Sequence, residues 1–326
     1  MIYATPTAQA LRSQIDAVIF DMDGVLLDIT RSIRVVNCLA VPYFLRTVLG
    51  WPAPDDLLTS ADIELFKNAG GFNDDLDLTN ALVLFYIAKG REHPSAAPET
   101  LNVFQPNLNR FAARVKERGG GVKAAEAIMF EHLTREDLLA VETDYRKHLI
   151  KQVFLEMFAG EHCPRIYGFA PTLYTGPGYI NYDVPLLDIA KLPADKMLGI
   201  QTGRTLEEAR FGLEMCGLLE RIPAANIVTQ SDGFKKPHPG GLTALAKRMG
   251  FSSAVYIGDT WDDLRTVQRF NNASVSNAAS DAARFLSIQV LSGPAGAANE
   301  RLFRTSGADV IAADVNEALD WLCPSS

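Results

Sequence analysis

Asp21 and Asp23 stand one residue apart, are followed at once by Gly24, and close the apolar run Ala17-Val18-Ile19-Phe20. Four apolar residues with polar flanks predict a short buried strand, and the glycine predicts a turn after it. In an open α/β sheet, ligands bind at the carboxyl ends of strands. Two carboxylates so close repel each other and resist joint ionisation. A hard divalent cation removes that conflict and makes the pair useful. A solvated Asp-Gly turn is the plain alternative, and taken alone the pair leaves both readings open.

Three further strand ends carry residues of the same chemical interest. Thr202-Gly203-Arg204 follows the strand-like Met197–Gln201, and Lys235-Lys236-Pro237-His238-Pro239 follows Ile227–Thr229 and a loop. Gly258-Asp259-Thr260-Trp261-Asp262-Asp263 follows Ala254–Ile257. Asp263 lies one helical turn beyond Asp259, so both can face one site, whereas Asp262 points elsewhere. Each residue has a structural reading. Thr202 and Asp259 could cap helices, Lys236 could be a solvated surface lysine, and Asp263 could be an exposed helix charge. Their joint occurrence at successive strand ends outweighs these readings.

The elements that must position these residues are strands alternating with helices. Helices are predicted at Thr205–Cys216, Leu242–Met249, Asp262–Phe270 and Val315–Leu322, and further strands at Ala273–Ser276 and Asp309–Ala312. Such alternation predicts a parallel sheet covered on both faces. The first strand must join it, or its apolar residues have nowhere to pack. Residues 1–14 read as an irregular lead or a short helix. Between Ile29 and Asp183 no β-rich run occurs. Helices are expected at Ser32–Leu49, kinked or split by Pro42; at Ala61–Ala69, capped by Ser60; and at Leu76–Lys89, stopped by Gly90. Others are expected at Glu99–Arg118, interrupted near Pro106, at Val122–His132, and from Thr134, with Asp137 completing the cap, to Phe158. Glu161–Asp183 is expected to be an ordered connecting loop. The predicted organisation is an α/β core, a Rossmann-like doubly wound parallel sheet formed by 1–28 and 185–326, with an inserted α-helical cap domain at 29–184.

The 326 residues include 48% hydrophobic and 21% charged ones, enough to build a sizeable core in about two domains. A net charge of −8 disfavours a nucleic-acid partner. Cys38, Cys163, Cys216 and Cys323 form neither a zinc pattern nor a dense disulfide framework. No secretory signal or membrane-length apolar run is visible. The expectation is a cytoplasmic protein, monomer or homodimer, with no membrane association.

Taken together, the four motifs resemble those of the haloacid dehalogenase-like hydrolases, in that family's order and each at the end of a core element. The resemblance covers roughly residues 15–28 and 185–322, and an insertion just after the first motif is similar to the subfamilies with a helical cap. It implies a Mg²⁺-dependent phosphatase acting on a small phosphorylated metabolite. Asp21 would be the nucleophile, forming an aspartyl-phosphate. Asp23 would be acid and base, and Thr202 and Lys236 would hold the phosphoryl group. Asp21, Asp23 through its backbone carbonyl, Asp259 and Asp263 would surround the metal. Lys236 is preferred to Lys235 because it directly precedes Pro237.

Arg204 is a candidate for holding an anionic substrate group, or for an ordinary salt bridge. Gly71, Asn73 and Asp74, next to Asp75 in a predicted loop of the insertion, are candidates for reading the substrate or form a polar turn. His238 and Trp261 are read as structural. Asp two residues after the nucleophile disfavours dehalogenation. No lysine among Lys67, Lys89, Lys116 and Lys123 is marked for a Schiff base. A sugar-phosphate mutase is the alternative enzyme, and a catalytically silent binding or scaffold protein the alternative outside enzymes.

Overall fold

A computed structural model describes residues 2–72, 74–131, 133–276, 283–294 and 296–324. Among these, the strands are β1 (Tyr3–Ala4), β2 (Ala17–Phe20), β3 (Leu27–Asp28), β4 (Val184–Pro185), β5 (Met197–Gln201), β6 (Ile227–Val228), β7 (Ser253–Gly258), β8 (Arg284–Val290) and β9 (Val310–Ala312). The main sheet runs β1-β9-β8-β7-β2-β5-β6. Its edge strand β1 is antiparallel to β9 and the other pairs are parallel. β3 and β4 form a separate antiparallel pair.

The helices of the described residues are α1 (Pro6–Leu11), then α2 (Ile33–Leu49), α3 (Ser60–Ala69), α4 (Asp75–Glu92), α5 (Leu108–Glu117), α6 (Gly121–Phe130), α7 (Arg135–Asp144), α8 (Lys147–Ala159) and α9 (Cys163–Ile166). After them come α10 (Leu206–Met215), α11 (Gly240–Met249), α12 (Trp261–Ser276), α13 (Glu300–Thr305) and α14 (Val315–Leu322). The chain divides into two compact units, one of residues 1–29 and 183–326 and the other of residues 30–182.

In the first unit, β2 lies inside the sheet between β5 and β7, and all four of its side chains are fully buried. A strand covered on both faces reads as an unbroken apolar run rather than an alternating one, which is why Ala-Val-Ile-Phe is legible. Ala17 and Ile19 pack with Leu242, Leu245, Phe251, Tyr256 and Phe285. Burying a side chain the size of Ile19 contributes about 1.5–3 kcal/mol. The fold is the Rossmann-like α/β type with an inserted helical unit.

In the second unit, α4 is buried on every side from Leu78 to Lys89 and packs against α2, α6, α7 and α8. A helix apolar all round is a core helix. Buried Glu156 of α8 accepts the backbone N–H groups of Thr172 (3.0 Å), Leu173 (2.6 Å) and Tyr174 (2.7 Å), which ties down part of the loop after α9.

Several expected boundaries are corrected. α2 passes through Pro42 without a split; its packing on α4 and α8 outweighs the local cost of about 3 kcal/mol. Gly90 does not stop α4, which runs on to Glu92. Its missing side chain makes room for the Trp51 ring, since a Cβ there would lie 2.4 Å from it. Thr59, not Ser60, caps α3. The helix from Thr134 breaks at Tyr145, where buried Tyr145 takes a non-helical conformation and separates α7 from α8. Residues 273–276, expected as a strand, continue α12, and the next strand is β8. Ser287 and Gln289 interrupt the apolar run of β8 and hid it. Residues 3–4, expected in an irregular lead, form an edge strand beside β9. Among the described residues, no helix is long and apolar enough to cross a membrane.

Candidate active site

The first loop is built to expose Asp21 and Asp23 at the end of β2. Asp21 N–H still donates to the Ile257 carbonyl (2.9 Å), so Asp21 continues the sheet by one residue. Met22, Val25 and Leu26 are then fully buried and anchor the turn, and Gly24, at φ +75°, reverses it. Gly24 N–H donates to the Leu27 carbonyl (2.8 Å), and its own carbonyl accepts the Ser292 hydroxyl (2.7 Å).

After β7, Asp259 is 7% exposed and Asp263 fully buried. Asp263 and Thr260 close the start of α12 reciprocally. Asp263 N–H donates to Thr260 Oγ1 (3.3 Å), and Asp263 Oδ2 accepts both the Thr260 N–H (3.0 Å) and its hydroxyl (2.5 Å). The other oxygen, Oδ1, accepts the Tyr256 hydroxyl (2.9 Å) and an N–H of Lys236 (2.8 Å). Lys236 Nζ also donates to Asp21 Oδ2 (2.7 Å), while Asp21 Oδ1 accepts the Met22 N–H (2.8 Å). Lys236 is held in a loop that begins at Thr229, which caps the turn Gln230–Asp232, and passes through Gly233 at φ +83°.

Asp21, Asp259 and Asp263 each place a carboxylate oxygen within 4.8 Å of the others. At that separation two full charges repel by about 3 kcal/mol for an effective dielectric near 20. Were all three ionised, Lys236 would offset one charge and leave two, so joint ionisation is opposed. Burial, then Asp263 and Asp23, push the Asp21 carboxyl up to about 7 although Lys236 pulls the other way. Burial, Asp263 and Asp21 raise Asp259 well above the carboxylate range. Burial opposes ionisation of Asp263 too, but Lys236, Thr260 and Tyr256 hold it below its usual value. Burial likewise works against the Lys236 charge, and Asp21 and Asp263 outweigh it.

Asp259 Oδ1 is buried with no hydrogen-bond partner among the described residues, a costly arrangement for a carboxylate. Its side chain is walled in by glycines, because a Cβ at Gly24 or Gly293 would come within 2.4 Å or 1.9 Å of Asp259 Oδ2. Clustered carboxylate oxygens, excess negative charge and an unpartnered oxygen fit a hard cation such as Mg²⁺.

The remaining candidates fall into distinct places. The Asp23 carboxylate, one third exposed, is outside the acidic cluster, and its Oδ1 accepts Arg204 Nε (2.9 Å) and Nη2 (2.6 Å). Arg204 is 5% exposed and also binds Asp183 Oδ2 (2.7 Å), so two acids of the chain itself hold its Nε and Nη2. Thr202 directly follows β5; its N–H donates to the Val228 carbonyl (3.0 Å), and its Oγ1 accepts the Arg204 N–H (3.1 Å). Lys235 is exposed, and Asp262 is half-buried outside the carboxylate cluster. His238 accepts the Gly240 N–H (3.0 Å) at the start of α11, and Trp261 is 36% exposed.

In the second unit, Gly71 is packed against backbone, since a Cβ there would lie 2.7 Å from the Gly121 nitrogen, and Asp74 caps α4 through the Leu76 N–H (3.0 Å). Asp75 binds Lys67 (2.8 Å) and Asn37 (2.6 Å). Both Gly71 and Asp74 have work to do inside their own unit. Asn73 lies outside the described residues.

Three residues at this site were not singled out in the sequence. Tyr256 reads as one more apolar member of a strand. Gly293 follows a strand that was itself missed. Asp183 sits some 160 positions beyond Asp23 in a connecting stretch, and no local pattern marks it.

Solved structures share the fold. A Northeast Structural Genomics Consortium target is similar over 93% of this chain and 97% of its own, at 18% identity and a TM-score of 0.65. Phosphatase Tt82 from Thermococcus thioreducens is similar over 94% of this chain and 99% of its own, at 22% identity and a TM-score of 0.59. No curated protein matches the chain. The sequence pattern described as haloacid dehalogenase-like hydrolase matches residues 15–271, and the chain belongs to that family.

Proposed function

We propose that the protein is a Mg²⁺-dependent phosphatase that hydrolyses a small phosphorylated metabolite through an aspartyl-phosphate on Asp21. One observation carries the reading: Asp21, Asp259 and Asp263 gather their carboxylates at the sheet's carboxyl end with Lys236 bridging two of them.

Asp21 Oδ1 is occupied by a backbone N–H, which fixes the carboxylate plane. Oδ2, held by Lys236, is the oxygen to attack phosphorus. Splitting the displacement into two steps lowers a barrier that is among the highest for uncatalysed biological reactions. Asp21, Asp259 and the Asp23 carbonyl would hold the Mg²⁺, with Asp263 behind them orienting Lys236. The ion would supply charge neutralisation as a carboxylate approaches a phosphate dianion. Lys236 contributes a fixed charge beside the transferred group, and the Thr202 hydroxyl and the Gly203 N–H offer further donors. Asp23 protonates the leaving oxygen and then takes a proton from the water that cleaves the intermediate.

The test is phosphate release from p-nitrophenyl phosphate, with and without Mg²⁺, by wild type and Asp21→Asn. Metal-dependent turnover that falls by at least ~10⁴-fold in the variant is expected, as for loss of a nucleophile. Activity that survives Asp21→Asn undiminished would sink the mechanism.

A further inference from the structure

We propose that Arg204, fixed from behind by Asp183, is a positioning residue that holds Asp23 in the orientation needed for proton transfer. The inference rests on the reading of Asp23 as acid and base. Arg204 directs Nε and Nη2 at the same oxygen of Asp23, Oδ1, at 2.9 and 2.6 Å. Two donors on one oxygen restrict rotation of the carboxylate and leave Oδ2 to carry the reacting proton.

The guanidinium is itself held at Nε and Nη2. Nη2 reaches Asp183 Oδ2 at 2.7 Å, and the Asp183 side chain is fully buried. The Arg204 backbone is pinned at both ends, its N–H on Thr202 Oγ1 (3.1 Å) and its carbonyl accepting the Gln230 N–H (3.0 Å). α10 is thinned to admit this arrangement. A Cβ at Gly212 would lie 2.7 Å from the Met22 methyl, 2.9 Å from Leu27 Cδ1 and 3.3 Å from Arg204 Nη1. Glycine inside a helix costs roughly 0.5–1 kcal/mol, and here it lets the first loop and Arg204 lie against the helix. Burying a guanidinium costs several kcal/mol unless it is well paired. A surface-type salt bridge would not require that cost.

In the step concerned, an Asp21 oxygen forms a bond to phosphorus as the bond from phosphorus to the ester oxygen breaks. The electron pair of the broken bond stays on that oxygen, which takes the proton from Asp23. An alkyl leaving group needs this proton, whereas p-nitrophenolate leaves without it. The experiment therefore compares kcat/KM for glycerol 2-phosphate and p-nitrophenyl phosphate in wild type, Asp23→Asn, and Arg204→Met with Asp183→Leu. The paired replacement removes both buried charges together, which interiors tolerate far better than loss of one.

The double variant is expected to fold and to lose ~10²-fold on glycerol 2-phosphate, the cost of a misplaced group, with less than ~10-fold lost on the aryl ester. Asp23→Asn should change the ratio in the same direction and by more. Equal losses on both esters, or an unchanged ratio, would overturn the role of Arg204 while Asp23→Asn still shows its effect. If Asp23→Asn leaves the ratio unchanged, or wild type hydrolyses neither ester, the acid-base reading falls and the proposal with it. Should the double variant not fold, Arg204→Lys decides, since it keeps the charge but loses the paired donors; an unchanged ratio there overturns the proposal.

Discussion

Replacing Gly293 by alanine should cripple the proposed Mg²⁺ site while leaving the fold in place. Gly293 lies outside the left-handed region, so its backbone accepts alanine without strain. The new Cβ would stand 1.9 Å from Asp259 Oδ2, 2.6 Å from its Cγ and 2.8 Å from its Cβ. Ordinary contact begins at 3.4 Å, so the carboxylate must retreat by about 1.5 Å. Rotation of the carboxylate does not relieve the 2.8 Å contact to Asp259 Cβ, so the backbone that carries Asp259 or residue 293 must shift as well. Overpacking of this kind costs about 1–3 kcal/mol, which a domain of this size survives. Metal-ligand distances, by contrast, tolerate only about 0.2 Å, and disturbing a ligand's support typically costs 10–100-fold in affinity or activity, so a change on the order of 10–100-fold is expected. The assay is Mg²⁺ activation of p-nitrophenyl phosphate hydrolysis, with circular dichroism to show that the variant is folded. The expected result is a half-activating Mg²⁺ concentration raised about 10–100-fold. A folded variant activated at the wild-type concentration would show that the position of Asp259 does not matter to the cation, and the reasoning from its unpartnered oxygen would fail. Gly24→Ala is a poorer test, because φ +75° adds backbone strain to the same contact.

Other expectations follow from the same structure. Because three buried carboxylates crowd one another at the cluster, Mg²⁺ should raise Tm even without substrate, by mass action on the folded state; a Tm unmoved by millimolar Mg²⁺ would count against a cation among Asp21, Asp259 and Asp263. In the second unit, burial raises the Asp75 carboxyl, but Lys67 and then Arg34 and Asn37 bring it below its usual value. Its folded pKa therefore lies below its unfolded one, so its stabilisation is complete above about pH 4 and disappears as pH falls through the folded value. Asp75→Asn should cost about 1–3 kcal/mol at pH 7 and progressively less in acid, read as the gap in urea midpoints; a gap independent of pH would refute the ion pair's contribution. Glu156→Gln should destabilise the same unit by about 2–3 kcal/mol, since an amide cannot accept from three backbone N–H groups as a carboxylate does. Hydrogen exchange should show faster exchange at Thr172–Tyr174, and unchanged protection there would be the contrary result.

The sequence by itself determined the parts of this protein that local chemistry can mark. Asp21 and Asp23 follow an apolar run that a doubly covered strand must have, and Thr202, Lys236, Asp259 and Asp263 follow similar runs. Their order along the chain and the α-helical insertion were legible because polar residues at strand ends and helical spacing are local signals. Tertiary structure decided what those residues touch. Asp23, two positions from Asp21 in sequence, turns away to Arg204, while Asp263 joins Asp21 through Lys236. Arg204, open to a substrate role in sequence, is claimed by Asp183, which returns to the site from the far side of the insertion. Gly90 and Pro42 carry the usual signals of a helix end or kink, yet Trp51 and the packing of α2 give each a place inside a helix. These outcomes depend on long-range contacts that exist only once the sheet and the helices have assembled. Spacing along the chain encodes which groups are available, and the folded packing chooses their partners.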